Sequence, residues 1–161
     1  MPGLGKDVKV DFSSVKKNAA NTVTFLGKKL PKIPMRRFGV IFLGERHNDP
    51  LDQAVTSAVL LNPPVMKAGL TRVIFERGLD NVAAYIPSPA FADTRVEPMH
   101  VLSAKARSSY IADMILDAFT NHGRDLVYVV CGSAHATEIF HSLDKRFAHA
   151  FTYIYKMSST E

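Results

Sequence analysis

The stretch GVIFLGERHNDP, residues 39–50, decides the fold. It begins as a short continuous apolar run with β-branched residues, which is typical of a strand covered on both faces of a sheet. After Gly44 come three ionisable side chains, those of Glu45, Arg46 and His47. Asp49 can then cap a helix, and Pro50 suits its first turn. The stretch therefore predicts a buried strand that ends in ionisable residues and leads directly into a helix.

Three later runs repeat this pattern and are predicted as strands: TRVIFE at 71–76, DLVYVVCG at 125–132 and AFTYIY at 150–155. Between them, apolar residues recur at helical spacing after Asp49, from Ser103 to Asn121, and over residues 133–147. Strands that alternate with helices are typical of βαβ units, in which helices join parallel strands. We therefore predict an α/β fold with a mainly parallel β-sheet flanked by helices.

The chain is predicted to contain one such domain, at residues 38–161, behind a lead-in at residues 1–37. The lead-in is polar and punctuated by prolines, so we expect it to be partly flexible or to form an edge. Residues 78–101 have three prolines and no clear period, which predicts an irregular insertion. Long insertions of this kind are often functional loops or lids, and a surface excursion is the alternative.

Composition excludes several classes of protein. With 161 residues, 47% of them hydrophobic, the chain is large enough for one continuous core. Its net charge of +5 favours anionic ligands, but the basic stretch at residues 27–37 lacks aromatic residues and any nucleic-acid motif, which argues against nucleic acid as a partner. The lone Cys131, inside an apolar run, is expected to be a core residue rather than a nucleophile.

Location and assembly are only weakly indicated. No apolar run approaches the roughly 20 residues that a membrane span needs. The amino terminus lacks the apolar core of a secretory signal, so we expect a protein that is cytoplasmic as synthesised, or one exported by a specialised system. The edges of a small sheet leave room for a homodimer, although no stretch of sequence indicates the interface.

Ionisable residues follow three of the predicted strands, and parallel strands bring such ends to one edge of the sheet. Arg107 lies on the apolar stripe of a predicted helix, where a guanidinium needs a carboxylate partner or an anionic ligand. The candidate catalytic residues are Glu45, His47, Glu76, His135 and Arg107. The candidate substrate-binding residues are Arg46, Arg77 and His100. In the alternative interpretation these are helix-terminal charges, surface ion pairs and a snorkelling arginine.

These residue types suit hydrolysis of an ester-like or phosphoester substrate. In this hypothesis His47 is the general base on a water molecule, Glu45 or Glu76 fixes its tautomer, and His135 and Arg107 stabilise the oxyanion. In a variant, Zn²⁺ or Mn²⁺ is held by His47, His135 and Glu76. Binding of a small ligand, haem or a host factor without turnover is the alternative function.

The segments VIFLGERHNDP, RVIFERG and VVCGSAHA resemble the signature strand ends of the erythromycin-esterase/ChaN-like (EreA/ChaN-like) superfamily, which includes relatives of the TIKI/TraB group. The match covers about residues 38–140: a G-E-x-H motif, an acidic strand end and a G-x-x-H motif. The resemblance implies a hydrolase site at Glu45, His47, Glu76 and His135, with Arg107 on the preceding helix.

Parts of the superfamily imply other roles as well. ChaN-like members are associated with haem iron, and small members occur as secreted bacterial effectors that act inside host cells and contribute to virulence. The erythromycin esterases are much larger than this chain and carry extra helical regions that form the macrolide cleft. The resemblance therefore implies a compact hydrolase or effector and does not imply macrolide hydrolysis.

Overall fold

The computed structural model describes residues 11–34, 37–46, 49–61, 64, 71–76, 93–96, 103–147 and 150–157. The strands are β1 (Phe38–Glu45), β2 (Thr71–Phe75), β3 (Asp93–Val96), β4 (Leu126–Gly132) and β5 (Phe151–Met157). The helices are α1 (Phe12–Lys29), α2 (Pro50–Leu61), α3 (Ala104–Asn121) and α4 (Ser133–Arg146), and a 3₁₀ turn (Leu30–Lys32) follows α1.

The strands form one sheet in the order β3-β2-β4-β1-β5, and every neighbouring pair is parallel. The α/β class predicted from the sequence is therefore confirmed. Every residue of β2 and β4 is buried, as are all but the first of β1. Their near-continuous apolar sequences follow from this double coverage, because a strand packed on both faces has no polar side.

Helices cover both faces of the sheet, and alternate residues of each strand face alternate layers. On one face, Leu43 and Val130 join Leu26 of α1 and Val59 of α2 in one hydrophobic cluster. On the other face, β-strand side chains join apolar residues of α3 and α4, among them Phe42, Val129, Ile115 and Ile139. The protein is a three-layer sandwich whose two cores are separated by the sheet.

Helix α1 corrects the prediction of a partly flexible lead-in. Asp11 caps this helix by accepting a hydrogen bond from the backbone N–H of Ser13 at 3.0 Å. Ala19, Thr22 and Leu26 are buried at spacings of three and four residues, which is the period of one helix face. The prediction of a flexible or edge-forming lead-in was therefore wrong over residues 12–29, which form a helix. The buried face of this helix is narrow and most of its other residues are polar, so the sequence gives only a weak helical pattern.

The predicted irregular insertion contains a strand. Residues 93–96 form β3, which pairs in parallel with β2 from the pair Arg72 and Asp93 to the pair Phe75 and Val96. The other positions of residues 78–101 lie outside the described residues. The prediction of irregular structure therefore fails at this short edge strand, whose four residues are too few to show a period.

The described helices are amphipathic. Helix α3 carries buried Ile111 and Ile115 together with exposed Lys105 and Tyr110. Among the residues that the structure describes, no helix combines the length and the apolar character needed to cross a membrane.

Candidate active site

The carboxyl ends of β1, β4 and β2 lie side by side at one edge, because these three strands are consecutive parallel neighbours. Glu45, the last residue of β1, is in register with Gly132, the last residue of β4. Glu76 directly follows β2 and extends its ladder by donating its backbone N–H to the carbonyl of Val130 at 2.8 Å. The two glutamates therefore flank the end of β4.

The carboxylate of Glu76 is the centre of the described cluster. The residue is 2% exposed, and both of its carboxylate oxygens contact described residues. Oε1 accepts from the backbone N–H of Gly132 at 2.7 Å, and Oε2 accepts from Arg107 Nε at 3.0 Å. Oε2 also lies 2.9 Å from His135 Nε2, within ion-pair distance. A buried charge needs such partners, so these contacts fix the carboxylate in one position.

Arg107 and His135 reach this carboxylate from two neighbouring helices. Arg107 lies in the first turn of α3, one turn before buried Ile111, so its guanidinium starts from the helix face that packs on the sheet. Gly132 ends β4 and is also the N-cap of α4, so no loop separates this strand from its helix. His135 therefore lies within one turn of the strand end and on the buried stripe of Ile139.

A further hydrogen bond orients the imidazole. Ser108 Oγ lies 2.8 Å from His135 Nδ1, and both residues are buried. An ionised carboxylate only accepts hydrogen bonds, so the proton of the neutral ring is on Nε2, facing Glu76. Nδ1 is then the acceptor of the Ser108 hydroxyl. The arrangement can move a proton from a hydroxyl to a ring whose tautomer is set from the other side.

Ser108 is the residue of this cluster that the sequence did not indicate. It immediately follows Arg107, and it precedes buried Ala112 by one helical turn. A serine at this spacing is compatible with a core position or with the surface. Its contact depends on how α3 packs against α4, which no local pattern reveals.

Glu45 and Cys131 complete the buried strand ends. Glu45 is 3% exposed and Cys131 is fully buried as a free thiol. Burial, followed by the negative charges of Glu76 and Glu45, raises the pKa of the Cys131 thiol well above its ordinary value. The thiol is therefore neutral at physiological pH, which agrees with its predicted place in the core.

Arg46, predicted to bind substrate, is engaged with its own loop. Its Nε and Nη2 bind Oδ2 and Oδ1 of Asp52 at 3.0 and 3.2 Å, and its backbone N–H donates to Asp52 Oδ2 at 2.7 Å. These hydrogen bonds and the charge of Asp52 raise the pKa of Arg46. Asp49 caps α2 as predicted, accepting from the N–H of Leu51 at 2.9 Å. Arg46 thereby closes the β1–α2 turn.

Two pockets lie beside the cluster. One, of about 520 Å³, is mostly aromatic and is lined by Phe42, Ser133, Ala136, Thr137, Phe140, His141, Tyr153 and Tyr155. The other, of about 450 Å³, lies between α3 and α4 and is lined by Lys105, Ser108, Ser109, Glu138, His141, Ser142 and Lys145. Both volumes fall in the range of small-molecule sites. Ser108 connects the buried cluster to the second pocket.

Three predicted site residues, His47, Arg77 and His100, lie outside the described residues. Of the three predicted metal ligands, the structure therefore describes Glu76 and His135. In the described part of the chain, no group of three or more His, Cys, Asp and Glu side chains could hold a metal ion. Glu76 Oε2 lies directly against His135 Nε2 at 2.9 Å, and Ser108 occupies the remaining ring nitrogen. In this arrangement the pair does not fit a shared metal.

No family model, curated protein or solved structure matches the chain. The likeness to the EreA/ChaN-like superfamily stays a prediction from the three strand-end motifs.

Proposed function

We propose that this protein is a hydrolase of ester-like or phosphoester substrates in which His135 is the proton acceptor. The observation that supports this proposal is the contact between His135 Nε2 and Glu76 Oε2 at 2.9 Å. A carboxylate on one ring nitrogen fixes the tautomer, leaves the other nitrogen basic and stabilises the imidazolium that forms during proton transfer.

This proposal changes the roles assigned from the sequence. There, His47 was the general base and His135 stabilised the oxyanion. The described contacts favour His135 as the base, because its ring is held at both nitrogens in a site next to a pocket. Glu76 and Arg107 are positioning residues: Arg107 neutralises the carboxylate, and the carboxylate holds the imidazole.

The proposal is tested by hydrolysis of p-nitrophenyl acetate and p-nitrophenyl phosphate. We expect His135→Ala to lower the rate on the accepted substrate by roughly 10²–10⁴-fold, the usual contribution of a general base. Glu76→Gln should lower kcat and shift its pH profile, because the amide no longer holds the tautomer of His135. Circular dichroism shows whether each variant is folded.

His122→Ala is the matched control. His122 also contacts a carboxylate, that of Asp117 at 3.2 Å, but its side chain is 38% exposed at the far end of α3. We expect it to keep the wild-type rate. A folded His135→Ala variant with the wild-type rate on both substrates would exclude His135 as the base and overturn the proposal.

A second candidate function is recognition of a small ligand without turnover. The aromatic pocket of about 520 Å³ favours it, since aromatic walls with a few hydroxyl groups suit a flat apolar molecule such as haem. Titration with haem should then produce a Soret band that is weakened in Tyr153→Ala and unchanged in His135→Ala. The absence of any spectral change would remove haem as the ligand.

The effector role rests only on the resemblance. Expression of wild type and His135→Ala in host cells separates the two functions, because a catalytic effector loses its phenotype in the variant and a binding effector keeps it.

A further inference from the structure

We propose that Ser108 is the nucleophile of this site and that the substrate is a small acyl ester. This inference rests on the proposed hydrolase function and adds a covalent step to it. Glu76 Oε2, the two nitrogens of His135 and Ser108 Oγ form a continuous chain, with separations of 2.9 Å and 2.8 Å. Carboxylate, imidazole and hydroxyl stand in the order that activates a serine.

Compared with the usual serine hydrolase, the two imidazole nitrogens of His135 exchange their partners. Here the carboxylate binds Nε2 and the serine binds Nδ1. Either nitrogen of a neutral imidazole can accept a proton when the other carries one, so the exchange preserves the chemistry. Catalytic triads are identified by geometry and roles and recur in unrelated chain orders, which fits a serine that precedes its histidine by 27 residues.

Ser108 also has access to a ligand. Its side chain lines the pocket of about 450 Å³ between α3 and α4, although the residue is only 3% exposed. The hydroxyl therefore lies at the inner wall of a space large enough for a small molecule. Lys105 and Lys145 line the same pocket together with Glu138, so its lining has an excess of positive charge, which favours the oxyanion of an acyl-transfer intermediate.

The reaction has two steps, acylation of Ser108 and hydrolysis of the resulting acyl ester. Ser108 Oγ attacks the carbonyl carbon and its proton passes to His135 Nδ1, giving a tetrahedral oxyanion. Collapse breaks the bond to the leaving alcohol, which takes that proton from Nδ1 and leaves an acyl ester on Ser108. Water then attacks this ester and gives a proton to Nδ1. The second collapse returns the proton to Oγ and releases the carboxylic acid.

The test uses the full chain and p-nitrophenyl acetate. We expect a burst of p-nitrophenol and, after acid quench, one acetyl group on the peptide that contains Ser108. Ser108→Ala should carry no acetyl group and lose at least about 100-fold in rate. Ser57→Ala is the control, because this serine lies on α2, which packs on the opposite face of the sheet from Ser108. It should keep both the burst and the adduct.

A second measurement avoids any variant that fails to fold. The unmutated protein is treated with phenylmethanesulfonyl fluoride, and peptide mapping should locate the sulfonyl group on Ser108 and not on Ser109. A label on neither serine, with activity intact, would overturn the assignment of Ser108.

The outcomes separate this inference from the proposed function. If Ser108→Ala keeps the wild-type rate while His135→Ala loses it, His135 activates water directly, and only the Ser108 inference falls. Hydrolysis of p-nitrophenyl phosphate alone, with no acetyl adduct, also overturns this inference and leaves the proposed function standing. If His135→Ala keeps full activity, or the wild type hydrolyses neither substrate, both fall.

Discussion

At the scale of single residues, Glu76 places the strictest demand on the structure. The Glu76 side chain is only 2% exposed, so its charge needs a partner of opposite charge. Arg107, whose side chain is 21% exposed, is such a partner. Arg107→Ala leaves the carboxylate without its guanidinium. We expect the free energy of unfolding to fall by about 3–5 kcal/mol, the usual effect of removing one partner of a buried pair. Urea denaturation followed by circular dichroism measures it.

Arg146→Ala is the control for this prediction. Arg146 pairs with Asp113 on the surface, where the two side chains are 39% and 59% exposed. Solvent screens such a pair, so we expect a loss below about 1 kcal/mol. Equal losses in the two variants would contradict the view that burial gives the Glu76 pair its importance.

Cys131 gives a second prediction at this scale. Its thiol is fully buried, and burial together with the charges of Glu76 and Glu45 raises its pKa. The thiolate is the reactive form of cysteine, and here it is both suppressed and shielded. We expect no reaction with Ellman's reagent at pH 8 in the native state and one equivalent released in denaturant. Rapid labelling of the native protein would show that the strand end opens.

The site residues differ in how far the sequence predicts them. Glu76 and His135 were indicated because each follows an apolar strand, and Arg107 because it lies on an apolar helical stripe. Glu76 and His135 lie close together because neighbouring parallel strands place their carboxyl ends at the same edge of the sheet. Ser108 was missed because its contact with His135 is set by packing between two helices, where a shift of one residue would place another side chain against the ring.

At the scale of elements, the strands were the most predictable parts. Four runs of apolar residues became β1, β2, β4 and β5 within a few residues of their predicted bounds. Helix α1 was missed because its buried face includes a threonine, Thr22, and an alanine, Ala19, which give a weak apolar signal. Strand β3 was missed because four residues at a sheet edge are positioned by pairing with β2 rather than by their own pattern.

Leu26 tests whether α1 is an integral layer of the sandwich. Its side chain is fully buried in the cluster shared with α2 and β1. Leu26→Ala removes this contact and leaves a cavity, so we expect the free energy of unfolding to fall by about 2–5 kcal/mol. The same substitution at Leu61, which is 45% exposed at the end of α2, should have a much smaller effect. Similar small effects at both sites would mean that α1 does not stabilise the core.

At the scale of the whole molecule, burial of weak acids links stability to pH. Burial raises the pKa of Tyr128, burial and the charge of Asp144 raise that of Tyr153, and burial first of all raises that of Cys131. In the unfolded chain these groups lose protons near their ordinary values, about 8.5 for cysteine and about 10 for tyrosine. Above those values the unfolded state binds fewer protons than the folded state.

The contribution of these three groups to the free energy of unfolding should therefore be fully present below about pH 8.5 and fall as the pH rises above it. Lys156 acts in the opposite direction, because burial lowers its pKa.

Tyr128→Phe isolates the contribution of Tyr128 to this pH dependence. At pH 7 it should lose about 1 kcal/mol, since Tyr128 Oη no longer donates to the carbonyl of Pro64 at 2.7 Å. Above about pH 10 its stability should decline less steeply than the wild type's, by up to about 1.4 kcal/mol per pH unit. Parallel curves from urea denaturation between pH 7 and pH 11 would show that Tyr128 ionises in the folded state as readily as in the unfolded chain.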